Sequence, residues 1–95
     1  MGIEVLEKKG ALRILLELHD GPKPITQLMK DLGLGQDRVY TSVEDFRTNG
    51  IVEENKMINF PYSRIINLTA RGLELADLVH KMDNLMIARK DYFSE

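Results

Sequence analysis

Cysteine is absent from the sequence. The chain therefore forms no disulfide, has no thiol nucleophile and offers no cysteine ligand to a zinc ion. Long apolar runs are lacking as well, since none approaches the roughly 20 residues that a bilayer-spanning helix needs. The first residues also lack the basic segment followed by an apolar segment that marks a secretory signal. We therefore expect a cytoplasmic protein.

An excess of basic residues is also missing. Thirteen lysines and arginines stand against fifteen aspartates and glutamates, which gives a net charge of −2. Proteins that coat nucleic acid usually carry a strong basic excess, so the sequence argues against that class. A sequence-specific regulator remains open, because it depends on local charge rather than on the sum.

No catalytic constellation is visible. Gly33-Leu34-Gly35 follows no predicted strand and is interpreted as a connector, not as a dinucleotide-binding loop. His19 and His80 lie far apart with no second ligand nearby, and we predict that His19 packs against, or caps, the end of its helix. We predict a protein that is not an enzyme and binds neither a cofactor nor a metal.

Apolar residues at helical spacing predict three helices in the first half of the chain. The first spans residues 11–19 and ends where a glycine and two prolines follow. The second spans residues 25–33, with Thr26 as its N-cap. The third spans residues 36–48 and ends at Asn-Gly.

The second half of the chain changes character. Residues 51–54 and 63–68 are rich in β-branched side chains and flank a loop, which predicts a hairpin. Thr69 is then predicted to cap a final helix over residues 70–93, about 36 Å long at 1.5 Å per residue. Such a helix is longer than a domain of this size can cover.

The order of helix, helix, helix, hairpin, helix is that of a winged helix. Residues 25–52 resemble the helix-turn-helix of bacterial and archaeal winged-helix regulators, such as the MarR-like and PadR-like groups. Leu68-Thr69-Ala70-Arg71-Gly72 is similar to the Leu-Thr-x-x-Gly stretch that follows the wing in those families. The final helix resembles the dimerisation helix of small archaeal winged-helix proteins.

The resemblance implies a mainly α fold with a small β-hairpin (α+β), a winged helix-turn-helix with a long C-terminal helix. Residues 1–74 would form the winged-helix domain, with the helix-turn-helix at 25–50 and the wing at 51–68. Residues 75–95 would continue it as a dimerisation helix. The implied function is sequence-specific binding of double-stranded DNA by a dimeric transcriptional regulator. Its recognition helix, about residues 36–48, would enter the major groove, and the wing would lie on the backbone.

The third helix supplies most candidate DNA contacts. If Val39, Val43 and Phe46 face inward, the outward face holds Asp37, Arg38, Thr41, Glu44, Asp45 and Thr48. Arginine can donate two hydrogen bonds to the edge of guanine, and glutamine can form two hydrogen bonds with the edge of adenine. Hydroxyl groups can bind base edges or phosphate. The candidate DNA-binding residues are Gln36, Arg38, Tyr40, Thr41 and Ser42 on the helix, with Lys56 and Arg64 on the hairpin.

The hairpin allows two interpretations. Lys56 and Arg64 either bind phosphate or are simply solvated. The aromatic cluster Phe60-Pro61-Tyr62 near the tip is predicted to pack against the hairpin or a partner, with insertion at DNA as the alternative.

Glu44 and Asp45 depart from the family pattern, because these positions are commonly basic in the proteins that the sequence resembles. Carboxylates facing phosphate would lower the affinity for DNA. Either they lie over solvent or pair with Arg47 or Arg38, or the module binds a protein and not DNA. The second hypothesis is therefore a protein–protein interaction winged helix.

The final helix carries apolar residues at near-heptad spacing, which predicts pairing with a second copy. The candidate dimer-interface residues are Leu75, Leu78, Val79, Met82, Leu85, Met86 and Tyr92.

Overall fold

The structure, a computed structural model, describes residues 2–56 and 64–93, without the side chains of residue 56 and residues 89–93. Within this part, five helices and three short strands are interspersed along the chain. The elements are α1 (Glu4–Glu7), α2 (Ala11–His19), β1 (Lys23–Pro24), α3 (Ile25–Leu32), α4 (Gln36–Thr48), β2 (Val52–Lys56), β3 (Arg64–Leu68) and α5 (Ala70–Phe93). The predicted fold class, a mainly α winged helix-turn-helix, is confirmed.

The start of α3 differs from the prediction. Pro24 occupies the N-cap position with extended backbone, φ −62° and ψ 144°, and no side chain caps the helix. Thr26 lies inside the first turn, so the prediction that it caps α3 was wrong. Proline fixes φ near the value that the chain needs immediately before the helix, so the chain can turn here without a side-chain cap.

The three strands form one antiparallel sheet in the order β1-β3-β2. The predicted hairpin is confirmed, with β2 and β3 in register from Val52↔Leu68 to Lys56↔Arg64. Strand β1 was not predicted. It pairs Lys23 with Ile66 on the other edge of β3 and so joins the start of the helix-turn-helix to the wing.

The core lies where α2, α3, α4 and α5 meet the sheet. The predicted stripe of Val39, Val43 and Phe46 on α4 is fully buried. Around it lie Ala11, Ile14, Leu15, Leu18, Ile25, Leu28, Leu32, Ile51, Val52, Ile66, Ala76 and Val79. Burial of this stripe fixes which face of α4 points outward.

Thr69 and Gly72 hold the root of the wing against α5. The Thr69 hydroxyl accepts the backbone N–H of Gly72 at 3.0 Å, which confirms the predicted cap, and lies 2.6 Å from the carbonyl oxygen of Gly50. A Cβ at position 72 would overlap the carbonyl oxygen of Ile51. The Leu-Thr-x-x-Gly stretch therefore has a steric reason for its glycine.

The segment before α2 is attached to the helix-turn-helix. Val5 and Leu6 are half-buried and pack against the core. Gly10 has φ +88°, and a Cβ there would overlap the side chain of Leu34 in the turn between α3 and α4. The backbone after α1 is thus held close to the start of α4.

Among the described residues, no helix combines the length and the apolar character that crossing a membrane requires.

Candidate nucleic-acid interface

The outer face of α4 is the candidate interface. Gln36, Arg38 and Thr41 are exposed there, as the burial of the opposite stripe predicts. They share the face with exposed Asp37, Glu44 and Thr48. Side chains able to contact base edges therefore lie together over the first two turns of the helix.

Ser42 does not belong to this face. Its side chain is buried, with the residue 3% exposed. The prediction that Ser42 is one of the DNA contacts is therefore corrected. At 100° per residue it lies about 60° from Val39 and about 40° from Phe46, within the arc that faces the core. Ser42 is therefore not one of the exposed side chains of the outer face.

Tyr40 and Arg64 contact each other rather than standing free. The guanidinium carbon of Arg64 lies 5.3 Å from the centre of the half-buried Tyr40 ring. Arg64 also donates a hydrogen bond to Glu54, which raises the pKa of the arginine. The wing is thereby docked on α4, and the Arg64 guanidinium is bound to Glu54 of the same hairpin.

Two of the three carboxylates on α4, Glu44 and Asp45, are paired. Arg47 donates from Nε and Nη2 to Glu44 at 3.0 and 2.8 Å, and this hydrogen bonding raises the pKa of Arg47. Lys8, from the segment after α1, forms an ion pair with Asp45. Glu44 thus takes the partner that the sequence offered, whereas the partner of Asp45 was not predicted.

Two lysines that the sequence interpretation missed lie beside α4. Lys8 and Lys9 line a cleft of about 330 Å³ together with Asp37, Arg38, Thr41 and Ser42. The only sequence signal is a pair of basic residues directly before Gly10. Their position follows from the packing of the N-terminal segment, which no local pattern reveals.

Some predicted contacts lie outside the described residues. They are the side chain of Lys56, the Phe60-Pro61-Tyr62 cluster and the side chain of Tyr92. The corresponding proposals stay predictions from the sequence.

The described residues of the predicted seam on α5 divide between two faces. Leu78, Met82, Leu85 and Met86 are exposed, with Leu85 at 70% and Met86 at 69%. Val79, at 4%, and half-buried Leu75 pack into their own domain, so their predicted place on the seam is corrected. An apolar groove of about 280 Å³ runs beside the exposed face and is lined by Leu12, Arg13, Leu16, Val79, Met82, Asp83 and Met86.

His19 and His80 come together although they are far apart in sequence. Their rings stack with centres 4.5 Å apart, and His19 Nε2 lies 2.7 Å from Asp77 Oδ1. His19 is therefore packed at the end of α2, as predicted. Within the described part of the chain, no three histidine, cysteine or acidic side chains are grouped as a metal site would need.

Solved structures of transcriptional regulators have the same fold. A transcriptional regulator homologue from Pyrococcus horikoshii OT3 matches with a TM-score of 0.71 and 23% identity, over 93% of this chain and 89% of that one. The repressor BigR from Xylella fastidiosa matches with a TM-score of 0.73 and 22% identity, over 85% and 78%. FabT from Streptococcus pneumoniae, solved in complex with DNA, matches with a TM-score of 0.79 and 16% identity, over 92% and 62%.

Sequence comparisons give the family. A comparison with curated proteins produces no match. The family model described as HxlR-like helix-turn-helix matches residues 5–92, nearly the whole chain and every element from α2 to β3. The expectation of a winged-helix regulator is thereby confirmed, and the chain belongs to the HxlR-like helix-turn-helix family.

Proposed function

We propose that the protein is a dimeric transcriptional regulator that binds specific sequences of duplex DNA. Helix α4 enters the major groove, and the β2–β3 hairpin lies on the backbone. The observation that supports this most directly is the joint exposure of Gln36, Arg38 and Thr41 on the face of α4 opposite its buried stripe. These side-chain types match the donor and acceptor pattern of base edges. The shared fold with FabT, solved with DNA, supports the same assignment.

The paired carboxylates remove the main objection to a DNA ligand. An unpaired carboxylate beside a phosphate lowers affinity, but Glu44 and Asp45 each have a cation in contact. The local charge of the outer face is therefore less negative than the sequence of α4 alone suggests. The alternative, a protein-binding module, rested on Glu44 and Asp45 facing outward, and the pairing of both carboxylates weakens it.

We also propose that a second copy of the chain packs on the exposed apolar face of α5. Leu78, Met82, Leu85 and Met86 lie along about two turns of a helix that is about 36 Å long. A contiguous exposed apolar surface of this kind marks an interaction site. A two-fold dimer would present two α4 helices to half-sites about 34 Å apart, one turn of DNA. The residues proposed for the seam are Leu78, Met82, Leu85, Met86 and Tyr92.

The proposed activity is binding without catalysis. We place it in the cytoplasm, where it has access to DNA.

The experiment is a binding titration of the unmodified protein with labelled duplexes, a random pool beside fragments selected from it, at about 0.15 M salt. Non-specific duplex should bind at about 10⁻⁴ to 10⁻⁶ M. A selected duplex should bind at least about 10³-fold more tightly. If no duplex binds more tightly than about 10⁻⁴ M, the regulator proposal fails and the protein-binding module takes its place.

A further inference from the structure

The cleft between the N-terminal segment and α4 is a built feature of the surface. It lies beside the first two turns of α4, on the flank of the proposed base-reading face. Its lining contains three basic side chains, Lys8, Lys9 and Arg38, and one carboxylate, Asp37. Thr41 adds a hydroxyl group that is exposed on the same face.

Three contacts fix the wall that carries the lysines. Val5 and Leu6 pack against the core, Gly10 lies against Leu34, and Lys8 pairs with Asp45. The backbone on both sides of Lys9 is therefore held against the domain. Because this backbone is already fixed, a lysine on it can bind a ligand without the entropy cost of ordering the chain.

The charges of the cleft are not all engaged. Lys8 is bound to Asp45. Within the described residues, Lys9 and Arg38 form no ion pair, and both are exposed. Asp37 opposes an anion, but it is one carboxylate against two free cations. The cleft therefore has an excess of positive charge that can bind an anionic ligand.

Building on the DNA-binding function proposed above, we propose that this cleft receives a phosphate of the DNA backbone, with Lys9 as its principal cation. A helix in the major groove has a phosphate backbone along each of its flanks, and Lys9 lies on one flank of α4 near Arg38. Lysine binds phosphate as a point charge on a long flexible stem. Lys9 thus holds the backbone beside the base pair that Arg38 contacts. The DNA-binding surface consequently begins before α2, outside the helix-turn-helix itself.

The test is Lys9→Ala, with Lys81→Ala on the exposed surface of α5 as the matched control. Binding of a selected and a random duplex is measured across a range of salt concentrations. Loss of one phosphate contact should reduce the slope of log affinity against log salt by about 0.9. If the affinity extrapolated to 1 M salt is unchanged, both duplexes should then bind about fivefold more weakly at 0.15 M. The preference between them and the melting temperature should not change, because Lys9 contacts neither bases nor core.

Three results would overturn the proposal in different ways. If Lys9→Ala behaves like Lys81→Ala while the unmodified protein binds DNA, the cleft is not a phosphate contact and the proposed function stands. If the unmodified protein binds no duplex, both proposals fail. The third result has three parts: inorganic phosphate alone saturates the cleft, Lys9→Ala abolishes that phosphate binding, and Lys9→Ala leaves the salt slope of DNA binding unchanged. In that case the cleft holds a free anion and not DNA.

Discussion

Individual residues determine the charge that α4 presents to a ligand. Glu44 and Asp45 are neighbours in sequence, but one is bound by Arg47 of the same helix and the other by Lys8 from the segment after α1. Both pairs are exposed, so each contributes little to the free energy of unfolding. Their larger effect is to cancel negative charge on the surface that we propose approaches phosphates.

Asp45→Asn should strengthen DNA binding. The change removes a carboxylate from the outer face and releases the Lys8 ammonium toward the cleft. We expect tighter binding of every duplex and a salt slope steeper by up to about 0.9, with a stability loss below about 1 kcal/mol. Titrations at several salt concentrations measure both effects, and Glu74→Gln, an exposed carboxylate on α5, is the control. Weaker DNA binding by Asp45→Asn would contradict this prediction, because it would mean that Lys8 contributes to DNA binding only through its ion pair with Asp45.

Residue-level prediction worked where the determinant was local. The exposure of Arg38 and Thr41 followed from the burial of the opposite stripe, and helical spacing offered Arg47 as a partner for Glu44. Ser42 was misplaced because a short polar side chain on the flank of the outward face was expected to reach the ligand, whereas it is buried beside the apolar stripe. The pairing of Asp45 with Lys8 spans 37 positions and depends on how the N-terminal segment packs.

At the scale of elements, the bounds of α2 and α4 follow from sequence because apolar spacing and glycine or proline at the ends define them. Strand β1 has two residues and shows no periodicity of its own. It is a strand only because β3 provides an edge for it. A pairing between distant segments of this kind is not encoded in local pattern.

Helix α5 shows both the strength and the limit of a heptad pattern. The pattern located the apolar residues but not which neighbour covers each of them. Val79 faces the core because the domain packs along one side of α5, whereas Leu85 and Met86 face outward. The seam available to a second chain is therefore narrower than the sequence predicted.

Leu85→Glu or Met82→Glu should convert the proposed dimer to a monomer. Both side chains are exposed in the single chain, so a buried carboxylate would arise only in the dimer, where its desolvation is costly. Sedimentation at tens of micromolar measures the mass, and circular dichroism should show unchanged helix content. Asn84→Glu, at an exposed position about 100° or more round α5 from Leu78, Met82, Leu85 and Met86, is the control that adds the same side chain and should remain dimeric. A monomeric unmodified protein, or a Leu85→Glu variant that stays dimeric, would contradict the proposed seam.

At the scale of the whole molecule, the fold joins a helix with an exposed polar face, a wing docked on it and a long helix with exposed apolar residues. The sequence predicted these parts and their order because each has a periodic or turn signature. It did not predict how they are tied together, through β1 to β3, Arg64 to Tyr40 and Lys8 to Asp45. Those ties are long-range, and they determine which side chains remain available to DNA.

The most direct test of the account is the sequence preference of Arg38→Ala, measured on single-base variants of the best selected duplex. If Arg38 forks onto a base, its loss should cost about 1–3 kcal/mol on the preferred duplex and remove discrimination at one position of each half-site. Lys56→Ala on the wing, predicted from sequence to contact phosphate, should instead weaken all variants equally and flatten the salt slope. The contradicting result is that Arg38→Ala, like Lys56→Ala, weakens binding of every duplex equally and preserves discrimination at all positions. In that case α4 does not recognise the DNA sequence through Arg38, and the central claim is contradicted.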